Sequence, residues 1–192
     1  MKTLIPLADG VEEMEAVIIT DVLRRADWPV TTAGIAPGEV TASRGVRITP
    51  DALWEDVYQQ DYDLLVIPGG IEGVQRLCET MSVLDTVRRF QRQNRWLAAI
   101  CAGPLVLDKA GVLDGRRITS HPAVASRIES VPVEASAVVR EGRLLTSQGP
   151  GSAMRFALAL VACESAETAE ALAEAMVCAP EVRETLNGLS TS

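Results

Sequence analysis

The hydrophobic positions of this chain follow two periods that alternate along its length. Continuous apolar runs at Leu64–Ile67 and Trp96–Ile100 are typical of strands that are buried on both faces of a parallel sheet. In residues 13–26, 153–161 and 169–177 the apolar residues recur every three or four positions, which predicts amphipathic helices. Strands that alternate with helices predict an α/β fold, a three-layer sandwich with a mostly parallel central sheet.

Weaker runs of the same two kinds complete the pattern. We expect further strands over residues 4–8, 28–34, 46–49, 137–139 and 144–146 and near residue 118, and further helices over residues 83–90, with Ser82 as N-cap, and 104–110. No internal repeat or linker divides the chain. We therefore expect a single domain over residues 1–192, with a polar C-terminal tail from about residue 181.

Composition and charge narrow the class of protein. The chain has 192 residues, of which 47% are hydrophobic, and this length is sufficient for one well-buried core. Its 18 basic and 26 acidic residues give a net charge of −8, which argues against binding to nucleic-acid backbones or to anionic membranes. The single histidine, His121, excludes a site built from several imidazoles, and we expect neither a metal nor a cofactor.

The cysteines and the apolar content bear on the compartment. The four cysteines, at positions 78, 101, 163 and 178, lie too far apart for a zinc knuckle or a Cys-x-x-Cys redox motif. The first residues contain too short an apolar run for a signal peptide, and no uncharged apolar stretch reaches about 18 residues. We therefore expect a cytoplasmic protein that does not enter a membrane.

Cys101 is the most informative residue at the carboxyl ends of the predicted strands, where open α/β sheets bind ligands. It ends an apolar strand and precedes Ala102-Gly103-Pro104, whose small residues permit a sharp, strained turn into a helix. Such a nucleophile elbow exposes the thiol, and the amides that begin the helix lower its pKa. The alternative is a buried cysteine that only completes the strand, because free cysteine is among the most buried residue types.

Two other segments offer groups that could act with this thiol. Gly69 and Gly70 follow a buried strand, and their N–H groups could form an oxyanion hole with that of Ala102, although Pro-Gly-Gly is by itself only a turn signal. His121 is the only imidazole available as a general base, although a lone histidine is often structural.

Three glutamates, Glu12, Glu13 and Glu15, precede or open the first predicted helix. The helix dipole favours carboxylates at this position, so all three could have a purely stabilising role. One of them could instead face Cys101 and retain its proton, with a raised pKa, beside a thiol of lowered pKa. The residues alone do not choose among the three.

Six motifs, in order, resemble those of the DJ-1 branch of the ThiJ/PfpI superfamily, and the resemblance extends from Leu4 to about Pro180. The motifs are Asp9-Gly10-Val11-Glu12-Glu13-Met14-Glu15, Ser43-Arg44-Gly45-Val46, Val66-Ile67-Pro68-Gly69-Gly70, Ala98-Ala99-Ile100-Cys101-Ala102-Gly103-Pro104, Thr119-Ser120-His121-Pro122 and Leu145-Thr146-Ser147-Gln148-Gly149-Pro150-Gly151. The resemblance implies a flavodoxin-like α/β sandwich that forms a homodimer.

The resemblance also implies roles for individual residues. It places the buried acid of the family at Glu15, the oxidation-sensitive nucleophile at Cys101, the nearby histidine at His121, the amide donors beside the thiolate at Gly70 and Ala102, and an arginine of an anion-attracting pocket at the dimer interface at Arg44.

Departures from the family pattern restrict what the resemblance implies. Ala102 stands where PfpI-type proteases carry a histidine directly after the cysteine, which disfavours a protease or a Cys-His-Glu amidotransferase. The cysteines that DJ-1 has near Ser43-Arg44 and Thr49-Pro50 are absent, so redox behaviour that depends on them does not carry over. Ile71 occupies the Asn-like position after the two glycines.

The resemblance implies a cofactor-free enzyme of the glyoxalase or deglycase type. Such an enzyme converts methylglyoxal to lactate, or removes early dicarbonyl adducts from protein or nucleotide, with Cys101 as nucleophile and Glu15 and His121 as proton shuttles. The alternative is an oxidation sensor or redox-regulated chaperone that acts through the Cys101 thiolate. For both we expect a thiolate in a locally electropositive elbow, beside a protonated Glu15.

Overall fold

The computed structural model describes residues 1–182, which form alternating strands and helices. The strands are β1 (Thr3–Leu7), β2 (Val30–Gly34), β3 (Val40–Thr41), β4 (Arg47–Ile48), β5 (Ala52–Leu53), β6 (Leu64–Ile67), β7 (Trp96–Ile100), β8 (Val138–Glu141) and β9 (Leu144–Ser147). The helices are α1 (Glu13–Arg25), α2 (Trp54–Val57), α3 (Ile71–Glu79), α4 (Met81–Arg92), α5 (Pro104–Ala110), α6 (Pro122–Ala125), α7 (Ala153–Ala162) and α8 (Ala166–Ala175).

The central sheet has the strand order β5-β2-β1-β6-β7-β9-β8, and β3 and β4 form a separate antiparallel hairpin. All neighbours in the central sheet are parallel except β8 and β9, which pair antiparallel. The predicted α/β fold with a mostly parallel sheet is therefore confirmed. The strand order also reverses between β1 and β6, because the chain first adds β2 on one side of β1 and later β6 on the other.

Two apolar cores, one on each face of the sheet, make the molecule a three-layer sandwich. Along β6 successive side chains alternate between them: Leu64 and Val66 join the core under α1, α7 and α8, whereas Leu65 and Ile67 join the core under α2 to α5. All four side chains are fully buried, which explains the continuous apolar run in the sequence.

Most predicted elements lie where the periodicity indicated, and α5 has the predicted bounds. Several details differ, and the short elements β3, β5, α2 and α6 were not predicted. Thr80 rather than Ser82 is the N-cap residue of α4, Ile118 forms only an isolated bridge with Val133, and α3 was not predicted. Most of the tail expected from about residue 181 lies outside the described residues. Within residues 1–182, no helix has the length and apolar content that a membrane crossing requires.

Candidate active site

The carboxyl ends of β1, β6 and β7 bring together the three segments that the sequence analysis selected. These strands are neighbours in the sheet, and the reversal of strand order lies between β1 and β6. A crevice at the carboxyl ends of strands beside such a reversal is the usual ligand site of open α/β sheets. The loop before α1, the Pro-Gly-Gly turn after β6 and Cys101 after β7 all lie there.

Cys101 forms the strained elbow that the sequence predicted. Its φ angle is +63°, a left-handed conformation that non-glycine residues rarely adopt. The turn is held from both sides, since the Cys101 N–H donates to the Ser147 carbonyl over 2.9 Å and its carbonyl accepts from the His121 N–H over 2.9 Å. Gly103 makes room for the turn, because a Cβ at this position would lie 2.5 Å from the Ile67 carbonyl oxygen. Cys101 is partly rather than fully buried.

Glu15 is the glutamate that faces Cys101, as the resemblance implied. Its side chain is completely buried, and Oε2 accepts a hydrogen bond from the Gly69 N–H over 2.7 Å. Burial raises the pKa of this carboxyl from 4.5 to about 7, against the lowering effect of the hydrogen bonds from Gly69 and Cys101. Oε1 is buried without a hydrogen-bond partner among the described residues, an arrangement that is costly for a charged carboxylate and favours the protonated form.

The expected low pKa of the Cys101 thiol is wrong for the structure as it stands. Burial and the charge of Glu15 raise the pKa of this thiol to about 12, although the N–H groups of Gly70 and Ala102 donate to the sulfur and lower it. The two acids are in contact, and ionisation of one raises the pKa of the other, so Glu15 ionises at a lower pH than the thiol does. Transfer of the thiol proton to Glu15 would form a thiolate without placing two negative charges side by side.

The other two glutamates hold the backbone rather than the thiol. Glu12 is the N-cap residue of α1, and its Oε2 accepts from the Glu15 N–H over 2.8 Å. Glu13 accepts from the Ser43 hydroxyl over 2.8 Å and from the Arg44 N–H over 2.9 Å, which ties the β3–β4 hairpin to α1. The stabilising role that the sequence left open therefore applies to these two.

Gly69 and Gly70 are required by close approach of the chain. Gly70 has a φ of +87°, and a Cβ there would lie 2.2 Å from the Gly10 carbonyl oxygen. A Cβ at Gly69 would lie 2.5 Å from Cys101 Cβ and 2.6 Å from Glu15 Oε2. Hydrogen bonds from the Gly70 and Ala102 N–H groups lower the pKa of the Cys101 thiol. Their role as oxyanion donors stays a prediction.

His121 lies at the far side of the elbow. Its Nδ1 accepts from the Ala123 N–H over 3.1 Å, which caps α6. A neutral imidazole whose Nδ1 accepts carries its proton on Nε2. This bond argues against the predicted role of general base, because it leaves Nε2 as a donor. Gly149 lies close to both the ring and the thiol: a Cβ at Gly149 would lie 3.3 Å from His121 Cδ2 and 4.0 Å from Cys101 Sγ.

Arg44 does not take part in the thiol cluster. Its side chain is exposed on the β3–β4 hairpin, where one guanidinium nitrogen donates to the Ser43 carbonyl over 3.2 Å. Within residues 1–182 no carboxylate forms an ion pair with it. Its predicted role in an anion-attracting pocket at a dimer interface stays a prediction.

Two residues near His121, Gly149 and Arg155, were not singled out from the sequence. Both line a cavity of about 410 Å³ next to His121. Gly149 could have been singled out because it belongs to one of the six motifs, but Arg155 carries no such signal. The described residues contain no group of three or more histidine, cysteine or acidic side chains that could hold a metal ion.

Comparison with known proteins gives consistent matches over most of the chain. The model of the DJ-1/PfpI family matches residues 1–163, the segment that contains the six motifs. Protein dj-1beta of Drosophila melanogaster is 43% identical over 158 residues, which cover 81% of this chain and 84% of that protein. The crystal structure of Drosophila melanogaster DJ-1beta has a TM-score of 0.89 and 38% identity, covering 93% of this chain and 100% of that one.

Of two further relatives, one carries the name of an enzyme and the other is much longer than this chain. A Caenorhabditis elegans protein named glutathione-independent glyoxalase DJR-1.2 is 34% identical over 160 residues, which cover 82% of this chain and 84% of that protein. Protein DJ-1 homolog B of Arabidopsis thaliana is 39% identical over 160 residues, but the match covers only 36% of its length. The chain therefore spans about a third of this plant relative.

Proposed function

Because the chain belongs to the DJ-1/PfpI family, we propose that it is a cofactor-free enzyme that detoxifies reactive dicarbonyls through Cys101. The observation that carries this proposal is the arrangement around the sulfur: two backbone amides donate to it and one buried carboxyl of raised pKa lies against it. A relative bears the name of a glutathione-independent glyoxalase, which supports the same chemistry without a thiol cofactor.

The first step uses the shared proton of Glu15 and Cys101. As the sulfur attacks the aldehyde carbon of methylglyoxal, a C–S bond forms and the thiol proton passes to Glu15, whose pKa of about 7 suits it to both receive and return a proton. The amides of Gly70 and Ala102 stabilise the negative charge that the sulfur gains on the way. The carbonyl oxygen becomes an alkoxide, which accepts a hydrogen bond from His121 Nε2 and then takes back the proton held by Glu15, so that Glu15 is again a carboxylate.

The second stage moves hydrogen between the two carbons. Loss of the proton from the former aldehyde carbon and protonation of the neighbouring carbon convert the adduct to a lactoyl thioester, so the first carbon is oxidised and the second reduced within one molecule. Water then cleaves the C–S bond, releasing lactate and restoring the thiol. Glu15 is the acid–base group we assign to these transfers, and no external oxidant or reductant enters the balance.

The test is formation of lactate from methylglyoxal in the absence of glutathione. We expect turnover by the wild-type chain and at least about a thousandfold less by Cys101→Ser, since a hydroxyl is a far weaker nucleophile than a thiolate. Cys78→Ser is the matched control, because Cys78 lies on α3 and burial raises the pKa of its thiol. Wild-type turnover by Cys101→Ser would contradict the proposal. The same pair of variants tests removal of early dicarbonyl adducts from protein or nucleotide.

The second candidate function is an oxidation sensor or redox-regulated chaperone. The observation that favours it is that the amides on the sulfur and the buried oxygen of Glu15 could hold an oxidised sulfur as well as a thiolate. Mild peroxide followed by mass spectrometry should then oxidise Cys101 ahead of the other cysteines, while dicarbonyl turnover is negligible. Equal oxidation of all four cysteines would contradict this candidate.

We propose a homodimer that covers an exposed apolar face. Met14 and Val17 on α1 are 53% and 52% exposed, and Val46 on the adjoining hairpin is 49% exposed. Burial of such a face by a second copy is favourable. Val17→Glu should convert the dimer to a monomer in light-scattering measurements, whereas Met81→Glu, at the start of α4, should not. A wild-type monomer would contradict the proposal. The cytoplasmic location stays a prediction.

A further inference from the structure

A cavity beside the candidate active site is lined by a cationic side chain and by no acidic one among the described residues, whereas the chain as a whole has a negative net charge. It measures about 410 Å³, and the ionisable side chains that line it are those of His121 and Arg155. Among the described residues no acidic side chain lines it, although the chain carries a net charge of −8. A concave surface lined by cationic and hydrogen-bonding groups favours a ligand that bears negative charge.

The cavity adjoins the reacting sulfur through Gly149. This glycine lines the cavity, and a Cβ at its position would lie 3.3 Å from His121 Cδ2 and 4.0 Å from Cys101 Sγ. Its φ of 163° is ordinary extended backbone, so only the absence of a side chain matters here. The part of the cavity wall that Gly149 forms therefore lies close to both the imidazole and the sulfur.

Arg155 supplies the positive charge at the other side of the cavity. It lies in the first turn of α7 and its side chain is half-buried. One of its nitrogens donates to the Glu181 carbonyl over 2.7 Å, and within residues 1–182 no carboxylate forms an ion pair with it. Since a guanidinium has five donors in a planar fork, this contact positions the group and leaves donors for a carboxylate.

We propose that Arg155 makes the enzyme prefer 1,2-dicarbonyls that carry a carboxylate a few carbons from the aldehyde. The aldehyde carbon meets Cys101, the adjacent oxygens lie near His121 Nε2, and the carboxylate binds Arg155 across the cavity. The proposal rests on the proposed dicarbonyl chemistry and adds the substrate class. Arg155 is a specificity residue that binds the remote end of the substrate.

The test compares two ketoaldehydes of matched length. 4,5-Dioxopentanoate carries a carboxylate and would yield 2-hydroxyglutarate, whereas 2-oxopentanal is neutral and would yield 2-hydroxypentanoate. We expect the ratio of their kcat/KM values, anionic over neutral, to fall about tenfold to a hundredfold in Arg155→Gln, the usual effect of losing a charge-assisted hydrogen bond. Arg155→Lys keeps the charge without the planar fork and should give an intermediate ratio.

Two control variants distinguish loss of the contact between Arg155 and the carboxylate from a change of net charge and from reduced access to the thiol. Arg92→Gln makes the same change of net charge on the exposed end of α4, away from the carboxyl ends of the strands, and should leave the ratio unchanged. Gly149→Ala narrows the passage to the thiol and should slow both substrates. An unchanged ratio in Arg155→Gln, with both substrates turned over, would overturn the role of Arg155 and leave the dicarbonyl chemistry standing.

If neither ketoaldehyde is turned over, that result contradicts the proposed dicarbonyl chemistry. A binding measurement then tests separately whether Arg155 binds a carboxylate. Levulinate has the keto group and the carboxylate but no aldehyde, and 2-pentanone is its neutral counterpart. Levulinate should protect Cys101 of the wild-type chain from iodoacetamide, as read by peptide mass spectrometry, and protection should be lost in Arg155→Gln. Equal protection by levulinate in both proteins, or by 2-pentanone and levulinate alike, would overturn the assignment of Arg155.

Discussion

Cys101 and Cys163 each follow an apolar element, yet their surroundings differ in kind. Both residues are partly buried, and burial raises the pKa of each thiol. Cys163 continues the helical conformation after α7, with φ −62° and ψ −21°, and Arg140 is the charged group that lowers its pKa. Cys101 has a positive φ, two amides on its sulfur and a buried carboxyl beside it. Cys163 therefore has one cation nearby, whereas Cys101 has a proton acceptor and two hydrogen-bond donors beside its sulfur, which are the groups that the proposed chemistry requires.

The largest expected effect is the loss of the proton acceptor at Cys101. Glu15→Gln keeps the size of the side chain and removes its acid–base function, so dicarbonyl turnover should fall at least about a hundredfold. The pH dependence of kcat/KM should also lose the ionisation near 7 that Glu15 provides. Steady-state kinetics between pH 5 and 9 measure both. Wild-type rates in Glu15→Gln would show that turnover does not depend on a proton acceptor beside Cys101.

The second prediction concerns stability, because the pKa of Glu15 is higher in the folded chain than its ordinary value of 4.5. The folded state then holds a proton that the unfolded chain has lost, so the free energy of unfolding falls as pH rises from 4.5 to about 7. The expected contribution is about 3 kcal/mol, from 1.4 kcal/mol per unit of pKa difference. Urea unfolding at pH 5 and pH 8 should show this loss in the wild type but not in Glu15→Gln. An equal pH dependence in both would contradict the pKa assigned to Glu15.

A substitution between the two acids has a smaller effect. In Gly69→Ala the new Cβ would meet Cys101 Cβ at 2.5 Å and Glu15 Oε2 at 2.6 Å, so the elbow must move, at a cost of about 1–3 kcal/mol in the free energy of unfolding. Gly151→Ala is the matched control, since nothing lies within 4 Å of a Cβ there. Equal free energies of unfolding of the two variants would contradict the close packing of Cys101 and Glu15 against Gly69.

The smallest effect is expected from substitution of Cys163. Cys163→Ser should leave dicarbonyl turnover within about twofold of wild type and change the free energy of unfolding by less than about 1 kcal/mol, since the site is partly exposed and near Arg140 rather than a carboxylate. Turnover and urea unfolding of this variant measure both quantities. A large loss of turnover here would mean that the chemistry is not confined to the elbow.

Differences between prediction and structure have identifiable tertiary causes. Ser82 was expected to cap α4, but its hydroxyl accepts from Trp54 Nε1 over 3.0 Å, a contact supplied by another helix. Helix α3 was missed because it is short and contains Gly73, a poor helix former. That glycine is needed there because a Cβ would lie 2.7 Å from the Val11 nitrogen, a proximity that no local pattern reveals.

The sequence by itself determined the layers of the fold, the elbow at Cys101 and the three segments of the site. Apolar periodicity, small residues after a strand and glycine pairs are local signals, and each depends on backbone conformation and burial within a few residues. The six motifs added the choice of Glu15 among the three glutamates.

Only the tertiary structure decided where charge and protons reside. The pKa of Glu15 and of Cys101 depends on how deeply each is buried and on what the other carries, and these residues lie 86 positions apart in the chain (101 − 15). The donor nitrogen of His121 follows from its bond to the Ala123 N–H. The position of Arg155 beside the cavity depends on how α7 packs at the carboxyl ends of the strands. Electrostatic interactions act through space, so their sign at a site is settled by the folded arrangement of distant residues.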